Sequence, residues 1–151
     1  MIQISKHLTF EECTHSDTAD KMGIKNDNPN LSVIKNMQTL AEHIFEPIRE
    51  HFNEPINVSS VFRSLNLNQA IHGAITSQHC SGQAMDIDNV KPNNKEIFDY
   101  IKKNLKFDQL IWEFGNDKQP DWVHVSFSDI HNRGQVLKGK KINGKTHYEN
   151  F

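Results

Sequence analysis

Residues Asp121-Trp122-Val123-His124-Val125-Ser126-Phe127 alternate with a period of two. Successive side chains of an extended chain point to opposite faces. Val123, Val125 and Phe127 therefore share one face, and Trp122, His124 and Ser126 share the other. Residues 84–88 repeat the pattern, with Met85 and Ile87 on one face and Ala84, Asp86 and Asp88 on the other. Two strands of this kind belong to a sheet that buries one side and leaves the other free for polar side chains. The buried side needs a second layer, and a chain of 151 residues has room for one core and one domain, 1–151.

That layer is helical. Ile34, Met37, Leu40, Ala41, Ile44, Phe45, Ile48 and Phe52 recur at helical spacing over residues 31–52, and Pro47 inside the pattern predicts a kink or break near Glu46. Ile97, Phe98, Ile101 and Leu105 mark a second helix over 93–105. Thr9 and Glu12 form a capping-box pattern at the start of a first turn. A short helix is expected over 66–72, stopped by Gly73. Strands are expected at 56–60, 84–89, 109–113 and 122–127, and Asn143-Gly144 marks a tight hairpin turn. The fold class is α+β: a small, mostly antiparallel sheet with helices packed on one side.

Composition narrows the function. No strictly apolar run exceeds three residues, far short of the roughly 20 needed to span a bilayer, so membrane insertion is not expected. The first residues carry no apolar stretch of the secretory type. Net charge is −2, which argues against a nucleic-acid partner. Charge is uneven: residues 133–151 hold Arg133, Lys138, Lys140, Lys141 and Lys145 against Glu149, leaving 1–132 at −6. This basic C-terminal tail reads as a solvated terminal hairpin, with a polyanion-binding strip as the alternative. Two cysteines, Cys13 and Cys80, form no disulfide framework and read as free thiols.

If the two alternating strands pair, Asp86 and His124 meet above the sheet. His79 lies seven residues before Asp86, and Gly82 between them permits the chain to fold back. Two imidazoles and one carboxylate form a catalytic zinc set with the fourth position left for water. Such a site needs a general base. Asp121 precedes His124 by three residues, but strict alternation turns it away, so its use requires a bend. Glu113, at the end of the strand 109–113, competes for the role. Arg63 offers a fixed cation for an oxyanion or a substrate carboxylate.

The pattern Ser77-x-His79-x-x-Gly82-x-Ala84-x-Asp86 followed by Trp122-x-His124-x-Ser126 resembles the M15 zinc peptidase family. That family comprises D-Ala-D-Ala carboxypeptidases and related peptidoglycan peptidases, many phage endolysins among them. The likeness is to its small single-domain members. It extends to His7–Glu12, to Pro47-Ile48-Arg49, to the arginine segment Ser59–Ser64 with Asn68 and Gly73-Ala74, and to Phe107–Glu113. Phe62, His72 and Cys80 depart from the usual residues at their positions. The resemblance implies a Hedgehog/D-Ala-D-Ala peptidase-like fold and one Zn2+ per chain held by His79, Asp86 and His124. It also implies Asp121 as general base and Arg63 as the stabiliser of the transition state. Ser77 and Ser126 would support the ligands through hydrogen bonds, with Glu113 beside them.

The expected activity is zinc-dependent hydrolysis of peptidoglycan stem peptides by a monomer, cutting D-Ala-D-Ala or an internal bond such as L-Ala-D-Glu. Retention of both Asp121 and Arg63 favours an enzyme over the alternative, a catalytically silent zinc-binding module of the same fold in cell-wall or virion binding. The expected setting is that of a phage or prophage lysin, held in the host cytoplasm until holin-type release to the wall, or carried on the virion.

Overall fold

The computed structural model of the protein describes residues 2–151. Thr9 caps α1 (Phe10–Thr14) through a complete capping box with Glu12. A short helix not anticipated from the sequence, α2 (Asp17–Met22), follows on the Ser16 side chain as its cap. The long apolar pattern becomes α3 (Leu31–Leu40), a π-helical turn (Ala41–Phe45) and α4 (Glu46–Phe52). Pro47 does not break the helix. The irregularity lies one turn earlier, where the Glu46 N–H bonds the Ala41 carbonyl five residues back. Proline lacks an N–H and crowds the preceding turn, and the wider π turn accommodates it without interrupting the buried face.

The strands are β1 (Val58–Ser60), β2 (Ala84–Ile87), β3 (Gln109–Glu113), β4 (Trp122–Ser126), β5 (Gln135–Ile142) and β6 (Lys145–Asn150). Two helices complete the chain, α5 (Leu65–Ala70) and α6 (Asn94–Asn104), capped by the Ser64 and Asn93 side chains. The left-handed reversal after α5 falls on His72, at φ 57°, rather than on Gly73. All six strands form one sheet in the order β1-β2-β4-β3-β5-β6. Every pairing is antiparallel except β3 with β5, which is parallel. The basic tail is thus an integral part of the sheet. The expected Asn143-Gly144 turn joins β5 to β6, and the pair docks as a unit on the β3 edge.

One face of the sheet is the core. Met85 and Ile87 of β2, Val123 and Val125 of β4, and Leu110 and Trp112 of β3 are buried there. They join Met37, Leu40, Ile44, Phe45 and Ile48 from the long helical segment and Ile97, Phe98 and Ile101 from α6 in one cluster. Because side chains alternate, the same three strands present Asp86, His124, Ile111 and Glu113 on the opposite face. Burying one face so thoroughly fixes the register: Asp86 lies directly opposite His124, and His124 directly opposite Ile111.

Candidate metal centre and active site

The loop before β2 brings in the third donor. Gly82 adopts φ +70°, and a Cβ there would lie 2.8 Å from the Val33 carbonyl oxygen. Only glycine lets this loop turn back while packed against α3. The turn is closed by bonds from the Gly82 N–H and the Arg63 N–H to the His79 carbonyl. The His79 ring is fixed too: its Nδ1–H donates to the Val61 carbonyl at 2.8 Å. That bond sets the tautomer and leaves the Nε2 lone pair free, the arrangement typical of a metal-bound histidine. Nε2 lies 3.4 Å from Asp86 Oδ1, and His124 Nδ1 lies 3.0 Å from the same oxygen.

One ligand atom from each of His79, Asp86 and His124 falls within 4.8 Å of the others. Burial alone would push the Asp86 carboxyl up; the imidazoles of His79 and His124 outweigh it and hold the group ionised, well below the usual carboxylate range. Two neutral-capable nitrogens and an ionised oxygen, held by rigid backbone and converging on one point, fit a borderline divalent metal such as zinc better than the all-oxygen shells of magnesium or calcium.

The cluster opens into a cavity of about 640 Å³ on the sheet's polar face, which Arg63, Glu113 and Trp122 also line. Arg63 is oriented by Asn68, whose Oδ1 accepts from Nη1 at 3.1 Å. Glu113 is 5% exposed. Burial pushes its carboxyl up to about 7, the His124 charge opposes that rise, Asp86 adds to it, and the Tyr148 hydroxyl opposes it.

Asp121 is placed differently from the expectation. Its N–H bonds the Glu113 carbonyl, the strand continues regularly from Trp122, and Asp121 is exposed. It lines a separate depression with Phe114, Asp117 and Lys141 that shares no residue with the cavity of the cluster. Trp122 and His124 face the cavity, and the bend at Asp121, which lies before the first residue of β4, does not bring it round to their side.

The serines also act otherwise than expected. The Ser126 hydroxyl accepts from the Gln109 N–H at 3.1 Å, tying β4 to β3 rather than holding a ligand. Ser77 lines the cavity and closes the turn carrying His79, its carbonyl accepting from the Cys80 N–H. Cys80 is half-buried, and its thiol is pushed up by burial. It belongs to a different depression and is not part of the cluster.

Three residues at this site carry no sequence signal of their own. Asp108, 5% exposed, receives the Arg133 guanidinium through Nε and Nη2 at 2.9 and 2.8 Å, the Arg133 N–H at 2.9 Å and the Gln78 amide at 3.0 Å. Those bonds, the Arg133 side chain foremost, hold its carboxyl down to about 2. They fasten the residue next to His79 to the start of β5. Tyr148, from β6, lines the cavity beside Glu113. Neither Arg133 nor Tyr148 can be placed there without knowing that β5 pairs with β3.

The Peptidase M15 family model matches residues 6–126, most of the chain. The chain belongs to the peptidase M15 family. It is accordingly a hydrolase of the peptidase class, and the His79, Asp86 and His124 cluster lies within the matched segment. A search of curated proteins finds no match. No helix among the described residues is long and apolar enough to cross a membrane.

Proposed function

We propose that this M15 peptidase is a zinc-dependent hydrolase of peptidoglycan stem peptides, acting as a monomeric cell-wall lysin of phage or prophage type. The observation that carries the reading is that three convergent metal donors, a buried carboxylate and an oriented guanidinium share one cavity. Bound to His79, Asp86 and His124, one zinc ion supplies Lewis acidity toward a peptide carbonyl and toward water.

The chain's own groups do the rest. Glu113, and not Asp121, takes the proton of the attacking water and returns it to the leaving amine, because it is the carboxylate besides Asp86 that lines the cavity. Arg63, steadied by Asn68, meets the negative charge that develops on the carbonyl oxygen. The Val61 carbonyl keeps His79 in the ligating tautomer.

The test is digestion of purified peptidoglycan followed by mass spectrometry of the fragments. Wild type should release new peptide fragments whose masses name the bond. Glu113→Gln should release none while retaining its metal, and Asp121→Ala should match wild type. Intact digestion by Glu113→Gln with loss in Asp121→Ala would reverse the assignment of the base. Loss of fragments from every form, at full metal content, would favour a silent binding module.

A further inference from the structure

Segment 127–151 lies beyond the family match, yet Arg133, Leu137 and Tyr148 line the cavity. The pairing explains how. Gly139 of β5 is the partner of Glu113 in β3, and Tyr148 of β6 is the partner of Gly139. Glu113, Gly139 and Tyr148 therefore form one row across three strands. Neighbouring strands stand about 4.8 Å apart, so the outer side chains of such a row meet only when the middle position is empty. Here it is: a Cβ at Gly139 would lie 2.9 Å from Glu113 Oε2 and 2.9 Å from Tyr148 Cε1. Across that gap the Tyr148 hydroxyl donates to Glu113 Oε2 at 3.3 Å and Oε1 at 3.4 Å. Among the described residues, no other hydrogen bond reaches this carboxylate.

We propose that Tyr148 is a positioning residue of the peptidase: its hydroxyl, admitted by Gly139, holds the Glu113 carboxylate against the cavity of the metal centre. The role rests on reading Glu113 as the proton-transfer group. A buried carboxylate with no donor would be free to turn about its terminal torsion, and a misdirected base forfeits much of its rate. The phenol is suited to donate rather than to ionise, because burial, and then the Glu113 charge, push it up to about 12. The groups that face Glu113 are His124, Asp86 and Tyr148, and Tyr148 alone among them is supplied by the hairpin.

The experiment uses the zinc-loaded full chain and Tyr148→Phe, which keeps the ring and removes the hydroxyl. Glutamate labelled with 13C at the carboxyl is followed by NMR across pH, and Glu113 is assigned with Glu113→Gln. Loss of a donor to the charged form should raise the Glu113 midpoint and leave the other glutamates unmoved. On peptidoglycan, kcat should fall about 10-fold with KM little changed. An unchanged Glu113 midpoint overturns the proposal whatever the enzyme cleaves. A shifted midpoint with no cleavage by wild type upholds the Tyr148–Glu113 coupling and removes the peptidoglycan reading instead. Equal changes at several glutamates would mark a merely structural tyrosine and also overturn it.

Discussion

Replacing Glu113 by Gln should stabilise the metal-free protein, and only at higher pH. The side chain is 5% exposed and faces the Asp86 carboxylate as well as His124. Its folded-state pKa of about 7 lies above the usual 4.5, so folding favours the protonated form. The favourable contribution is fully present below pH 4.5 and is lost as pH rises through 7. The gap corresponds to about 3 kcal/mol once the group is fully ionised. Glutamine has the same shape and no charge to bury, so its stability does not follow this slope. Urea unfolding after chelation, at pH 5 and pH 9, measures the difference. The two proteins should be close at pH 5, and the variant should gain about 2–3 kcal/mol on wild type by pH 9. A constant difference across that range would mean that Glu113 is not held in a desolvated site, and the case for it as the proton-transfer group would fall with it.

Other changes follow from the same geometry. His79→Ala and His124→Ala should each lose the bound metal, read by elemental analysis, together with all peptidase activity, because two remaining donors make a poor site. Asp108→Asn should destabilise the protein by about 1–2 kcal/mol at pH 7, Arg133 being half exposed to screening water. The folded-state carboxyl titrates at about 2 instead of 3.8, so the loss should be full above pH 3.8 and fade as pH falls through 2; thermal melts at pH 7 and pH 2 test the sign. Gly82→Ala must place a Cβ 2.8 Å from the Val33 carbonyl at positive φ. It should lower stability by about 2 kcal/mol and weaken metal affinity by shifting the His79 turn, both accessible to titration calorimetry and melting.

The meeting of Asp86 and His124 in one cluster with His79 was legible in the sequence because alternation in β2 and β4 is a local property. Once Val123 and Val125 are committed to the core, His124 has one place to go, and the pairing of equal patterns puts Asp86 opposite it. The same rule counted against Asp121 unless the chain bent there; it does bend, yet Asp121 lines a different depression. Glu113 was legible as a competitor because it ends a strand, but its burial depends on neighbours distant in sequence. The hairpin illustrates the limit most clearly. Asn143-Gly144 announces a turn, whereas nothing in residues 133–151 announces a parallel pairing with β3. Gly139 and Tyr148 acquire meaning only through that pairing. The π turn before Pro47 is similar: proline signals a disturbed helix, and the packing of Ile44, Phe45 and Ile48 in the core decides that the helix bulges rather than ends.

The proposed activity stands on one catalytic zinc held by His79, Asp86 and His124. Elemental analysis of the purified protein, paired with mass-spectrometric digestion of peptidoglycan before and after chelation, tests it most directly. One zinc per chain is expected, with new peptide fragments that vanish with chelator and return when zinc is restored. Protein free of any metal that nevertheless releases the same fragments would contradict it.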